Sequence, residues 1–308
     1  MAKLDEMITG LQVTELNKIA TIRANDEAKA RGYFPYHKFK VKDCKVLFEQ
    51  FDCLKRMYTS IFATSKIIKK HQASRAYGTK ITGEQFAKLD HYIKNTLKMD
   101  SWGVAQFTEK EIYKGCGIPY RNVIVMSMHM DKERFLSDTF PDAACLMEVY
   151  GAYADTGTAA IEVTKLLRDF GFGAAPNHSV GGSIDYTKAG YKANMGFIGR
   201  HGLLITPECG PCNRIAVVYT SVENLSDFLE TSDHSWGKEF CKKCGKCVKT
   251  CPNQAIYEEE ITDEHGHVTC ISNAKCNTEF AWYACGHCVS NCPFTTVGYD
   301  RIKSKFKK

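Results

Sequence analysis

The run FCKKCGKCVKTCP at residues 240–252 places Cys241, Cys244, Cys247 and Cys251 at the spacing C-x2-C-x2-C-x3-C-P. That spacing is the bacterial ferredoxin pattern for a [4Fe–4S] cluster. A cuboidal cluster takes three thiolates from one tight loop, and the proline after the fourth cysteine, Pro252, turns the chain away. A closed four-ligand zinc site is the competing reading. It leaves unexplained a second cysteine set that ends in the same dipeptide, CGHCVSNCP at residues 285–293. In that set Cys285, Cys288 and Cys292 precede Pro293, but the position of a fourth regular cysteine is Trp282. The missing ligand then comes from upstream, where Cys276 is nearer along the chain than Cys270. In two-cluster ferredoxins the fourth cysteine of each run serves the other cluster. One cluster is thus expected on Cys241, Cys244, Cys247 and Cys292, and the other on Cys251, Cys276, Cys285 and Cys288. Two adjacent clusters form a relay that passes one electron at a time.

Working outward, nine of the 15 cysteines crowd between Cys241 and Cys292, and only six are scattered over the remainder of the 308 residues. This asymmetry marks a domain boundary in the polar, acidic stretch SVENLSDFLETSDHS at residues 221–235. The expected organisation is a helical N-terminal segment over 1–100, a core domain over 101–230 and an iron–sulfur domain over 231–308. The first residues, MAKLDEMITG, carry no export signal, and no 18-residue apolar span occurs, so a cytoplasmic, reducing setting without a membrane span is expected. The net charge of +6 is modest, and the basic end KSKFKK is a solvated tail or a docking face for an acidic partner or RNA.

A relay needs an acceptor, and the larger part of the chain is where one fits. AAIEVTKLLRDF at residues 159–170 has its apolar residues in an i, i+3, i+4 stripe and stops at Gly171, which predicts an amphipathic helix. Strands are predicted at Asn122–Met130, Leu203–Thr206 and Arg214–Thr220. Alternating helices and strands give a layered α/β or α+β domain. Tyr33, Phe34, Tyr36 and Phe39 read as core or cover. Neither a Walker loop nor a dinucleotide fingerprint is present. The glycines of NMGFIGRHGLLITPE, residues 194–208, surround Arg200 and His201 and permit close backbone approach to a flat ligand or simply a tight turn.

Four features taken together resemble the reductive dehalogenases and their relatives the epoxyqueuosine reductases: GFIGRHGLLITPECGP, the upstream IPYRNVIVMSMHMD, the helix ending LLRDFGFGAAP, and the two cluster motifs with the widened second spacing. The resemblance covers about residues 100–300. It implies an α+β fold, a nitroreductase-like α/β sandwich domain followed by a C-terminal ferredoxin-like domain with two [4Fe–4S] clusters. It also implies a bound cobalamin (corrinoid), with Gly199, Arg200, His201, Gly202, Leu204, Thr206 and Pro207 as the residues around it. In the dehalogenases a tyrosine donates the proton beside a basic residue and an asparagine. The matching positions are Tyr153, Arg200 and Asn177, with His178 and His201 as second candidates for the acid. Cys209 and Cys212 form a further C-x2-C, but the matching family positions are not ligands.

The chain also departs from its relatives. Where the epoxyqueuosine reductases carry a catalytic aspartate, the stretch HSVGGSIDYTKAGY has Val180, with Asp185 the nearest carboxylate. Their C-terminal helical extension and the twin-arginine leader of respiratory dehalogenases are not seen, which speaks against RNA as substrate and against respiration at a membrane. The expected function is a cytoplasmic iron–sulfur reductase, fed by a ferredoxin or flavodoxin, whose clusters pass electrons to a corrinoid that reduces a small organic substrate. An electron-transfer or corrinoid-reactivating protein, and an epoxyqueuosine reductase-like RNA-modifying enzyme, are the alternatives.

Overall fold

The structure, a computed structural model, describes residues 2–32, 40–72 and 75–306; Tyr33, Phe34, Tyr36 and Phe39 lie outside them. In chain order the elements that build the core are α1 (Ala2–Ile19), α2 (Phe51–Lys69), β1 (Ser101–Gln106), β2 (Asn122–His129), α3 (Ala143–Asp169), β3 (Ala174–Asn177), α4 (Tyr186–Lys192), β4 (Phe197–Ile198), β5 (Leu204–Ile205) and β6 (Asn213–Thr220). Strands β1, β2, β6 and β3 form one sheet in that order, each pair antiparallel.

Both faces of this sheet are buried, which is why NVIVM and IAVVY read as unbroken apolar runs rather than alternating ones. Side chains alternate between faces along a strand. Ile124, Met126, Ala216 and Val218 pack on Ala159, Ala160, Val163 and Leu167 of α3. Val123, Val125, Ile215 and Val217 pack with Leu16 of α1, Ile68 of α2 and Ala189 of α4. Each fully buried aliphatic side chain contributes about 1.5–3 kcal/mol, so the two-faced burial fixes the register.

The predicted helix at 159–170 is the second half of α3. The helix starts at Ala143, where the side chain of Asp142 accepts a hydrogen bond from the Cys145 N–H. Leu146, Val149 and Tyr150 then continue its buried stripe. Tyr153 therefore lies in the third turn of a 27-residue helix held between the sheet and α2.

The iron–sulfur part follows as α5 (Trp236–Cys244), α6 (Lys246–Thr250), the hairpin β7 (Ile256–Thr262) and β8 (Val268–Ile271), α7 (Asn273–Phe280), α8 (His287–Ser290), α9 (Pro293–Thr296) and α10 (Tyr299–Phe306). It joins the core domain through an aromatic cluster in which Phe197 of β4 meets Trp236, Phe294 and Tyr299. No helix among the described residues is long and apolar enough to cross a membrane.

Candidate functional site

Helix α5 ends at Gly245, whose φ of 59° reverses the chain into α6. The reversal brings Cys241, Cys244 and Cys247 to one cavity, and Cys292 reaches the same cavity from the end of α8. Burial pushes the Cys247 thiol up to about 11, and Cys241 and Cys244 add to the rise. Cys292 is pushed up to about 12 by burial and then by Cys241, Cys247 and Cys244. A second group forms around α7. Cys276 is pushed up to about 11 by burial and by its neighbours Cys285 and Cys251. Cys288, half-buried, is raised by burial and by Cys285, Cys276, Cys247 and Cys251. Cys270 stands on the β7–β8 hairpin, where its charged neighbours are Glu260, Lys238, Asp185 and Lys29. Crowded, partly buried thiols resist ionisation on their own, and a cationic iron centre stabilises four thiolates together.

The backbone that delivers Cys285 is unusual. Tyr283, Ala284 and Cys285 have φ of 55°, 60° and 38°, and Gly286 has 104°. Such positions cost of order 1–3 kcal/mol each for non-glycine residues and persist where the surroundings hold them. The winding occupies the place where a regular motif has a cysteine and Trp282 stands instead.

The glycine-rich run forms the turn of the β4–β5 hairpin, with Phe197 opposite Ile205 and Ile198 opposite Leu204. Gly202 donates to the Gly199 carbonyl at 2.8 Å and takes a φ of 76°, the conformation glycine adopts without steric cost. The turn sends its two central side chains to opposite destinations. Arg200 donates to the Glu258 carbonyl on the β7–β8 hairpin. His201 turns inward and is 3% exposed. His201, Gly202 and Leu203 line a cleft of about 530 Å³ that also borders Tyr113, Asp185 and Lys188. His201 lines the cavity of the first four cysteines as well, so cleft and cavity share one side chain.

Tyr153 is half-buried and packs with a cluster that contains Val180, Cys212, Tyr283 and Ala284, with Leu203 and Cys288 at its edge. The guanidinium of Arg214 on β6 lies 4.8 Å from the centre of the Tyr153 ring. The His178 ring is 6.5 Å away. His178 is fully buried and held near pKa 4 by that burial, so it is neutral at pH 7. The Arg214 Nε is buried without a partner among the described residues. A tyrosine, a cation and a neutral imidazole thus meet beside the second group of cysteines.

Residues 240–296 match the 4Fe-4S dicluster domain family. A tetrachloroethene reductive dehalogenase of Desulfitobacterium hafniense is 30% identical over 215 residues, 65% of this chain and 37% of that protein. The chain is thus similar to reductive dehalogenases and, more distantly, to an epoxyqueuosine reductase. A tetrachloroethene reductive dehalogenase of Sulfurospirillum multivorans is 30% identical over 187 residues, 56% of this chain and 35% of the relative. An epoxyqueuosine reductase of Francisella cf. novicida is 27% identical over 128 residues, 38% of this chain and 34% of the relative. A solved catabolic reductive dehalogenase superposes on 82% of this chain and 38% of its own, with a TM-score of 0.65 at 18% identity, a likeness of fold. The chain thus spans about 37% of the length of the first dehalogenases it matches.

Several residues that the resemblance assigned to catalysis have other partners in this structure. Arg200 is not the cation at Tyr153, because the hairpin turn directs it to Glu258; Arg214 holds that place. Asn177 is fully buried, and its Oδ1 accepts from the Ser183 N–H and the Tyr219 hydroxyl while its Nδ2 donates to Gln12. It shapes the loop after β3 and offers no open acceptor to a substrate. Asp185 caps α4 by accepting from the Lys188 N–H. His201, like His178, is kept near pKa 4 by burial, so neither imidazole carries an acidic imidazolium proton at neutral pH. Among the positions expected around a corrinoid, His201 and Gly202 line the 530 Å³ cleft, Gly199 and Arg200 border a separate groove beside Cys241, and Leu204 and Thr206 are fully buried. The signal for Arg214 was present in the sequence as the one charged residue of RIAVVYT, a cation on an otherwise apolar central strand.

Proposed function

We propose that this protein is an oxidoreductase that relays electrons through two [4Fe–4S] clusters to a bound corrinoid, which reduces a small organic substrate of the organohalide class. The observation that carries the reading is the sorting of eight cysteines into two neighbouring groups of four, the second beside the Tyr153–Arg214 pair. Cys241, Cys244, Cys247 and Cys292 would hold the first cluster, and Cys251, Cys276, Cys285 and Cys288 the second. Among the described residues no three histidine, cysteine or carboxylate side chains converge on a single-ion site. The C-x2-C-x2-C-x3-C-P spacing and the second run ending in the same C-P dipeptide favour clusters over zinc. One structural neighbour is a reductive dehalogenase whose structure suggests a mechanism for B12-dependent dehalogenation, and the first relatives are tetrachloroethene reductive dehalogenases. The cleft at His201, Gly202 and Leu203 suits part of a corrinoid, and Leu203 joins that cleft to the apolar cluster around Tyr153.

Bound clusters and corrinoid supply one-electron transfer and a low-potential metal centre; the chain supplies geometry and the proton. Reduction of a carbon–halogen bond consumes two electrons and one proton and releases halide. Tyr153 gives the proton from its hydroxyl, and the Arg214 cation over its ring face favours the negative charge left behind. The unpartnered Arg214 Nε–H is a ready donor to a substrate acceptor or a departing anion. Aliphatic Val180 and Leu203 keep the site poor in water. The finer description of the sheet domain as nitroreductase-like, its boundary near residue 231, a ferredoxin or flavodoxin donor and a cytoplasmic setting belong to the same reading. Anaerobic reconstitution with iron, sulfide and hydroxocobalamin, then metal analysis and a turnover assay on tetrachloroethene with reduced methyl viologen, tests it. Two clusters, retained cobalt and chloride release are expected. Full iron without retained cobalt or chloride release overturns the corrinoid reading and leaves a pure electron-transfer protein.

A further inference from the structure

We infer that His201 tunes the first cluster by donating its Nε2–H to a cluster sulfur, which raises that cluster's reduction potential; this rests on the proposed placement of a cluster on Cys241, Cys244, Cys247 and Cys292.

The tautomer is set by the hairpin. The backbone N–H of Leu203 donates to His201 Nδ1 at 3.1 Å, so Nδ1 carries the lone pair and Nε2 carries the hydrogen. That Nε2 is buried and has no partner among the described residues. A buried N–H without an acceptor is costly, and native structures keep very few. The ring lines the cavity that Cys241, Cys244, Cys247 and Cys292 enclose, whose other side chains include Phe240 and Phe294. Sulfur is the acceptor those walls offer, and it is supplied when thiolates and cluster sulfides fill the cavity.

The hairpin also denies the ring other places. A Cβ at Gly199 would stand 2.8 Å from His201 Cε1, so the imidazole occupies the space above that glycine, which a larger residue would deny it. The same turn that sends Arg200 outward to Glu258 therefore locks His201 toward the cysteines. Hydrogen bonds to cluster sulfurs are one of the protein's levers on reduction potential, because an N–H dipole offsets the charge added on reduction. His201 touches no substrate in this arrangement; it is a positioning residue that sets how readily the first cluster holds an electron.

The test is an EPR-monitored redox titration of the reconstituted wild type, His201→Phe and His201→Gln. Phenylalanine keeps the ring volume without a donor, and glutamine keeps a donor. The first cluster of His201→Phe is expected to become harder to reduce by about tenfold in its equilibrium, ~59 mV for one electron, with iron content and the second cluster unmoved. His201→Gln is expected to recover at least half of that shift. Two full clusters with unchanged potentials in His201→Phe overturn the inference alone, whereas a wild type that assembles no clusters overturns the functional reading with it. Should His201→Phe fail to assemble, pulsed EPR of the reduced wild type labelled with ¹⁵N-histidine decides. A weak histidine-nitrogen coupling to the first cluster is expected, and its absence overturns the inference.

Discussion

The guanidinium of Arg214 lies over the ring of Tyr153, 4.8 Å from its centre, and joins a residue of β6 to one in the third turn of α3. A planar cation stacked on a tyrosine face is an arrangement that lysine reproduces poorly. Tyr153→Phe, which removes only the hydroxyl, is expected to lower turnover by about 10²–10⁴-fold. Iron content and fold should be unaffected. Arg214→Lys is expected to lower turnover as well, though by less. Single-turnover rates in reconstituted protein check both, and wild-type turnover in Tyr153→Phe removes the tyrosine from the proton path.

Cys276 and Cys270 give opposite expectations in iron content. Cys276 sits among Cys251, Cys285 and Cys288, while Cys270 sits among the charged groups of the β7–β8 hairpin. Cys276→Ala should lose the second cluster's iron, half the total, and Cys270→Ala should keep it all. Equal retention in both variants would mean that the second quartet is wrongly composed.

Gly157, one turn after Tyr153, leaves space for a neighbour. A Cβ there would stand 2.3 Å from His178 Cδ2 and 3.0 Å from Ser60 Oγ. Because His178 is fully buried and hydrogen-bonded to Ser60 at 3.0 Å, it cannot swing out cheaply. Gly157→Ala is expected to destabilise the fold by about 1–3 kcal/mol. Denaturant unfolding measures this, and a change within about 0.5 kcal/mol would show that the ring relocates freely.

Acid should destabilise the protein in a defined window. His71 is held near pKa 4 by burial and then by Arg168, and His178 near 4 by burial alone, against 6.5 in the unfolded chain. Between about pH 6.5 and 4 the unfolded state takes up protons that the folded state refuses, so stability falls as pH drops through that window. Above 6.5 both states are neutral at these positions and the dependence ends. The slope is about 1.4 kcal/mol per pH unit for each proton. Unfolding at pH 5.5 should take up about one proton fewer in His178→Gln than in wild type; equal uptake would place a charged His178 in the fold.

The cysteine spacing carried its information in the chain itself, because a cubane takes its ligands from a loop a few residues long, and C-x2-C-x2-C-x3-C-P is that loop written out. The strands NVIVM and RIAVVYT and the stripe of AAIEVTKLLRDF were legible for a similar reason: period and apolar content are local properties. The length of α3 was less so, since its first half depends on the cap at Asp142 and on α2 packing beside it. What only the tertiary structure decided is which distant side chains meet. Choosing Arg214 over Arg200 for Tyr153 required the direction of a four-residue hairpin turn and the register of β6. Recognising Asn177 as a buried linchpin required Gln12 on α1, 165 positions away. Turning His201 from a residue in a glycine run into a donor facing four cysteines required the hairpin and the iron–sulfur part to close on the same cavity. Ligand spacing and periodicity are written along the chain, whereas the orientation of a single polar side chain is set by packing across it.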